Sequence, residues 1–273
     1  MTEQAERYDR IAAGYARWWA PIIAPAAVTV LDEIEGAIAS GAERILDIGT
    51  GTGTLPIAIL RRWPQVCVTA IDASAGMIEM AGAEADRLLT PQQRDRLELV
   101  VAFAADVPVA DGSFDLAVSS FVLQLVPNRF RALREAHRAL VPDGRLAYVT
   151  WLSDDRAFSP DVDFDAALEE VGIEAREWDD RPGDVPSVGS AISQLRRSGF
   201  ADVRARAAVL EHPFDVEGYL RFMTEFDEED LVTEMKPTTR RRFEAALRRR
   251  LERRPAAELV LRLPTVTATA IRR

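Results

Sequence analysis

One cysteine, one lysine and two histidines are the whole stock of thiol, amine and imidazole side chains in this 273-residue sequence. With Cys67 alone, no disulfide framework can form within the chain, and a reducing compartment is the natural setting. With Lys236 as the lone lysine, nearly all positive charge rests on arginine, which does not accept a proton near neutral pH, so the choice of catalytic bases is narrow. No apolar run approaches the roughly 18 residues of a membrane span, and Met1-Thr2-Glu3-Gln4 is not a basic start leading into an apolar block. The expectation is a soluble, unexported protein of the cytoplasm with no membrane partner. The 34 basic residues are outnumbered by 44 acidic ones, leaving a formal charge of −10 that repels polyanions, so nucleic acid is not an expected partner either. A small-molecule substrate and a monomer or homodimer are expected instead.

What is present is a strong alternation of short apolar runs with helical patterns over the first 150 residues, as a parallel sheet with crossover helices requires. Strands are expected at 44–48, 66–71, 97–102, 114–119 and 145–150. Helices are expected at 54–63 and 129–140, the second stopped by a turn at Val141-Pro142-Asp143-Gly144. Two further helical stretches, 5–20 and 24–40, precede the first strand and are expected to break at Pro21 and Pro25. Tyr8, Ile11, Tyr15, Trp18 and Trp19 share one broad face of the first, which suits a helix docked on the domain body; the sharper alternative is that Tyr8 or Tyr15 closes over a bound cofactor. After Thr150 the chain becomes acidic and proline-bearing through Val185, reading as a loop-rich excursion with one short helix. A helix at 187–198, a strand at 201–209, a helical insertion and a last strand at 265–271 complete the pattern. The whole reads as one domain over 1–273, with an N-terminal helical cover at 1–40 and insertions at 152–186 and 212–262 that would cap the site.

The chemistry is concentrated in Ile45-Leu46-Asp47-Ile48-Gly49-Thr50-Gly51-Thr52-Gly53-Thr54, an apolar strand running into three alternate glycines and then a helix. Glycine there permits positive φ and a close ligand approach, and the helix start offers unpaired N–H groups. Asp72 closes the second strand 19 residues beyond Gly53, where a carboxylate can accept hydrogen bonds from both hydroxyls of a ribose. These features specify a nucleoside-type cofactor and are shared with nicotinamide enzymes. Asp47 separates the two cases: a carboxylate beside the turn would repel a pyrophosphate but suits a ligand carrying an amino group and a sulfonium. The spacing Gly49, Gly51, Gly53 also departs from G-x-G-x-x-G, so S-adenosylmethionine is favoured over NAD.

Asp47-Ile48-Gly49-Thr50-Gly51-Thr52-Gly53 resembles motif I of class I methyltransferases, in particular the ubiquinone/menaquinone-methyltransferase-like group often called type 11. Ala70-Ile71-Asp72-Ala73-Ser74-Ala75-Gly76-Met77 resembles that family's ribose-binding strand end. Asp111-Gly112-Ser113-Phe114-Asp115-Leu116-Ala117-Val118-Ser119 resembles the approach to its fourth strand, and Leu140-Val141-Pro142-Asp143-Gly144-Arg145-Leu146 the turn into its fifth. The resemblance covers about 8–151 and fits the last two strands more loosely. It implies an α/β fold with a mainly parallel, seven-stranded Rossmann-like sheet of order 3-2-1-4-5-7-6, strand 7 antiparallel. It also implies that Asp47, Gly49 and Gly51, with Thr50 between them, line the methionine side of the donor. Asp72, with Ala73, would hold the ribose and Met77 would lie near the adenine, while Ser119 would converge on the same strand ends. One position departs: the acid the family uses for the adenine amino group falls on Phe103, followed by Ala104. Either Asp106 substitutes or the adenine is held by apolar contact and backbone, and the second is preferred.

Methyl transfer from a sulfonium needs alignment more than a protein nucleophile, and a base only if the acceptor must lose a proton. His212, after the sixth strand, is the candidate base; His137, on a charged helix, reads as solvated. Gln124, Trp151, Tyr219 and Phe222 are the candidate acceptor contacts, beside Tyr15. Asp161, Asp163 and Asp165 read as solvated loop acids and not as a metal site. The helix 240–254 carries eight arginines and an apolar stripe of Phe243, Leu247 and Leu251; it reads as an amphipathic cap helix, with an anionic ligand or the chain's own acidic stretches as partners of its charge. The rival functions are an NAD(P)-dependent oxidoreductase, a nucleic-acid methyltransferase and a non-catalytic module that only binds S-adenosylmethionine.

Overall fold

The computed structural model describes residues 3–154, 156–174 and 183–273. Its strands are β1 (Arg44–Ile48), β2 (Cys67–Asp72), β3 (Leu97–Val101), β4 (Phe114–Ser120), β5 (Leu140–Trp151), β6 (Phe200–Pro213) and β7 (Val260–Arg272), in the sheet order β3-β2-β1-β4-β5-β7-β6. The first five pair in parallel, and β7 runs antiparallel to β5 from Arg145 opposite Ile271 to Trp151 opposite Thr265. This is the order and the one reversed strand implied by the family resemblance. Central parallel strands are covered on both faces and therefore read as unbroken apolar runs; in β1 Ile45, Leu46, Asp47 and Ile48 are all buried. Asp47 is the exception in kind, an acid in an apolar run.

The helices are α1 (Glu3–Gly14), α2 (Ala20–Ala27), α3 (Val30–Ala39), α4 (Thr54–Arg62), α5 (Ala75–Leu88), α6 (Pro91–Arg94), α7 (Arg129–Ala139), α8 (Ser159–Glu170), α9 (Val188–Arg197), α10 (Val216–Phe222), α11 (Glu229–Glu234) and α12 (Pro237–Leu251). π-helical turns stand at Tyr15–Trp19 and Met223–Asp227. The chain divides into two compact units. The first holds the described residues of Met1–Ser153, Pro182–Ala208 and Pro264–Arg273; the second holds those of Asp154–Arg181 and Val209–Leu263. The sequence reading has a single domain with insertions at 152–186 and 212–262, and the second unit gathers two stretches that overlap them. Within the first stretch, residue 155 and residues 175–182, Pro182 included, lie outside the described residues.

In the first unit a core of Leu46, Ile48, Ile71, Leu133, Leu146 and Tyr148 packs between sheet and helices. Asp115 clips β4 to the entry of β1, accepting from the backbone N–H groups of Glu43 at 3.1 Å and Arg44 at 2.9 Å and from the Arg44 guanidinium at 2.8 Å. Three local expectations fail here. No break occurs at Pro21 or Pro25: Ala20 bonds back five residues to the Tyr15 carbonyl, so Pro21 falls in the first turn of α2 where its missing N–H costs nothing, and Pro25 lies inside the helix. The helix instead ends at Ala27. The expected turn at 141–144 is absorbed into β5, which already begins at Leu140; the local bend survives as a left-handed Asp143 and a shift in register against β4. His137 is half-buried and not freely solvated, since its ring stands edge-on to Phe200 at 5.0 Å and burial holds its pKa below the usual imidazole value, aided by the charge of Arg272.

In the second unit α12 buries Phe243, Ala246, Leu247 and Leu251, with Phe243 edge-on to Phe164 of α8 at 5.1 Å. The acids at 161, 163 and 165 are helical, not in a loop: Asp161 and Asp165, four residues apart, share one face of α8 and Asp163 points away from it. Asp163 accepts from Nε and Nη2 of Arg254 at 2.7 and 3.1 Å, and Asp161 accepts from the Tyr219 hydroxyl at 2.8 Å. Arginines near the end of α12 find acids of the same unit: Arg248 pairs with Glu217, and Arg249 and Arg250 with Glu170.

Candidate functional site

The turn after β1 is the most constrained piece of backbone in the first unit. Gly49, Gly51 and Gly53 all have positive φ, at 73°, 54° and 86°. At Gly49 the demand is steric as well as conformational, because a Cβ there would stand 2.3 Å from the Val122 side chain. The turn is tied to β2 by the N–H groups of Gly49 and Thr50, which both donate to the Ile71 carbonyl at 2.8 and 2.9 Å. Asp72 completes the tie: one carboxylate oxygen accepts from the Gly51 N–H at 2.9 Å and the other from the Ser74 N–H at 3.0 Å. A carboxylate offers about four lone-pair positions, so these N–H groups leave acceptor capacity for a ligand.

This turn forms one wall of a cavity of about 440 Å³. Tyr15, Gly49, Thr50, Gly51, Asp72, Ala73, Met77, Phe103 and Ala104, all singled out from the sequence, line it together. Tyr8 and Asp106 line it as well, and the N-terminal helices contribute Gln4, Ala5, Ile23 and Ala27. Tyr8 and Tyr15 stand edge to face at 5.9 Å. Burial pushes both hydroxyls above the usual phenol range, so they are protonated donors at neutral pH. Phe103 and Asp106 form an isolated antiparallel bridge, with the Asp106 N–H donating to the Phe103 carbonyl at 2.9 Å, and both line the cavity.

Four other candidates of the first unit lie elsewhere. Asp47 does not reach the cavity surface; it is enclosed two residues before Gly49, and neither of its oxygens has a hydrogen-bond partner. Burial pushes its carboxyl up to about 7, the nearby Thr50 hydroxyl working against the rise and the charge of Asp72 adding to it. Burial raises Asp72 also, against the N–H groups that stabilise its charge. Ser119 turns inward and donates to the Ile48 carbonyl at 2.8 Å; its neighbour Ser120 faces the cavity. The Gln124 amide is used at both ends, donating to the Phe121 carbonyl at 2.7 Å and accepting from Thr150 at 2.6 Å. Trp151 is buried and stacked on Phe121 with ring centres 3.9 Å apart.

His212, Tyr219 and Phe222 belong to the second unit, where they form an aromatic cluster about Phe214 at 4.6, 5.6 and 5.5 Å. Burial lowers the His212 pKa, leaving the ring neutral and able to accept a proton. Several residues at the cavity escaped the sequence reading. Phe121 is one, a left-handed non-glycine residue at φ 54° directly after β4, and Leu125, Asn128 and Arg131 follow on the same side. An apolar residue carries no local mark of positive φ, so nothing in the sequence pointed to it.

Residues 45–144 match a family model described as a methyltransferase domain. The malonyl-[acyl-carrier protein] O-methyltransferase of Geobacter sulfurreducens is 34% identical over 181 residues, which cover 65% of this chain and 63% of that protein. The ubiquinone/menaquinone biosynthesis C-methyltransferase UbiE of Syntrophotalea carbinolica is 30% identical over 176 residues, covering 61% of this chain and 72% of the relative. Against the first curated relatives it matches, the chain spans 63%, 43% and 45% of their lengths. Among solved structures, the YcgJ protein of Bacillus subtilis superposes with a TM-score of 0.55 at 20% identity, over 85% of this chain and 92% of that one, a likeness of fold.

Proposed function

Since the chain belongs to the class I S-adenosylmethionine-dependent methyltransferases, in the ubiquinone/menaquinone-methyltransferase-like group, we propose that it methylates a small-molecule acceptor by in-line displacement at the cavity beside the glycine turn. The observation that carries this reading is the pairing of a left-handed glycine turn with two buried carboxylates, Asp47 and Asp72, both raised by burial. The residues fit the donor. The orphaned Thr50 hydroxyl at the cavity suits a polar group of the donor, the Asp47 carboxyl enclosed just before the turn can favour its positive charge through its field alone, and the spare acceptor capacity of Asp72 suits a ribose. A diphosphate against the glycine turn would bring its charge close to the strand end that holds the enclosed Asp47, which disfavours a dinucleotide.

When bound, S-adenosylmethionine supplies a methyl group already activated by its sulfonium. The protein's own part is to orient and to dry. Asp72 fixes the ribose end, Met77, Phe103 and Ala104 enclose the adenine with Asp106 available to its amino group, and Gly49 and Gly51 allow backbone against the methionine end. Tyr8 and Tyr15 close the N-terminal side and exclude water. Holding the reacting atoms at about 3–3.5 Å in line supplies most of the acceleration such a transfer needs. Gln124 and Trp151 remain proposed determinants of the acceptor pocket. Gln124 and Trp151 act in this proposal by shaping the loop after β4.

Calorimetric titration with S-adenosylmethionine, S-adenosylhomocysteine and NAD separates the readings of the cofactor. Binding of the first two and not the third is expected; binding of NAD alone would overturn the reading. Incubation with a methyl-labelled donor and a panel of carboxylate, phenol and enolate acceptors then tests turnover. Tight binding of the donor with no labelled product from any acceptor would favour a non-catalytic module.

A further inference from the structure

The helix α1 brings Gln4, Ala5 and Tyr8 to the cavity and leads directly into the π-helical turn that begins at Tyr15. It is docked on the body of the first unit through Asp9. One oxygen of that carboxylate accepts from the Ser74 hydroxyl at 2.6 Å and from the Gly76 N–H at 2.9 Å. Ser74 caps α5, accepting from the Met77 N–H at 3.0 Å, and its own N–H donates to Asp72. Asp9 therefore joins α1 to the same turn that holds the ribose carboxylate and Met77. Gly76 permits the close approach, since a Cβ there would stand 3.2 Å from the Asp9 Cα and carbonyl oxygen.

From this geometry we infer that Asp9 is a positioning residue for the methyl donor, setting the angle at which Tyr8 and Tyr15 face the cavity. The inference rests on the methyltransferase reading of that cavity. Successive side chains on a helix are about 100° apart, so docking Asp9 fixes the rotation of α1 and with it the direction of its neighbour Tyr8. Tyr15, two turns on, meets Tyr8 edge to face and is aligned by it. The anchor is well matched electrostatically: a carboxylate at the start of the 14-residue α5 lies at the positive end of the helix dipole. Asp9 itself does not line the cavity, so its influence on a ligand passes through the two tyrosines.

The test uses the full chain, titrated with S-adenosylhomocysteine, together with hydrogen exchange over residues 3–19. Asp9→Ala should weaken binding about tenfold, as loss of a charge-assisted anchor does, and should speed exchange in α1 before any ligand is added. Asp9→Asn keeps the one oxygen that makes both bonds and should bind within about twofold of the unaltered chain. Gly76→Ala, which pushes α1 away with Asp9 intact, should weaken binding in the same direction and serves if Asp9→Ala does not fold. Unchanged affinity in Asp9→Ala or in Gly76→Ala would overturn the inference, as would a weakening in which exchange rises evenly across the sheet. Failure of the unaltered chain to bind S-adenosylhomocysteine would instead overturn the reading of the cavity on which the inference rests.

Discussion

Replacing Asp47 by asparagine should make the ligand-free protein more stable at alkaline pH. The carboxyl is enclosed within β1 with no hydrogen-bond partner on either oxygen, and burial carries it from the ordinary 3.8 up to about 7. A carboxyl raised by folding stabilises the folded state while protonated. Its contribution is therefore fully present below about pH 3.8 and is lost as pH rises to about 7, because over that range the folded chain retains a proton that the unfolded chain has released. The gap between those two values corresponds to about 4 kcal/mol, an upper bound on the cost of holding the charge there. Urea titrations of Asp47→Asn and the native chain should agree near pH 4 and differ by a few kcal/mol at pH 8, the variant being the more stable. Ligand binding should show the other side of the same charge. Raising the pH from 6 to 8 ionises Asp47 and should tighten S-adenosylmethionine about tenfold relative to S-adenosylhomocysteine, which lacks the sulfonium, and Asp47→Asn should flatten that ratio. Equal stabilities at pH 8, or a ratio that does not move with pH in the native chain, would refute the reasoning.

Gly49→Ala should lower stability by about 1–3 kcal/mol in thermal melts, because φ is 73° and the new methyl meets Val122 at 2.3 Å. Val122→Ala in the same chain should recover the steric part and leave the conformational part; a neutral Gly49→Ala would contradict the close approach. Phe103→Ser should weaken S-adenosylhomocysteine about fivefold to tenfold in calorimetry through lost apolar contact, whereas a dominant role for Asp106 would leave it nearly unchanged and shift the loss to Asp106→Ala. Tyr219→Phe should cost the second unit about 1–2 kcal/mol in denaturant titration by removing the 2.8 Å hydrogen bond to Asp161, and no change would mean that water replaces the hydroxyl.

The parallel half of the sheet was readable because each strand there is an apolar run ended by its own signal. β1 stops at a glycine, β2 at Asp72, and both ends were placed to within a residue. The glycine turn was readable for a related reason, since alternate glycines advertise a backbone that no other residue adopts at ease, and all three do have positive φ. The second half was less legible. β5 and β7 are longer than their periodicity suggested, and their mutual antiparallel ladder covers only Arg145–Trp151 and Thr265–Ile271; β5 begins early because Leu140 already pairs with Phe114 of β4. The grouping of 154–181 with 209–263 into a unit of its own depends on contacts such as Arg254 with Asp163, 91 residues apart, for which charge pattern gives candidates but no partners.

The same division runs through the site. The sequence alone determined the class of fold, the left-handed glycine turn and the acid at the end of β2, because each depends on a residue's own conformational range or on a strand's local pattern. Only the tertiary structure decided that Ser119 and Gln124 are consumed by internal hydrogen bonds, that Phe121 turns left-handed into the cavity wall, and that Asp9 reaches Ser74 across 65 residues. The physical reason is that a polar side chain has many chemically adequate partners, and which one it meets is fixed by how the helices pack on the sheet.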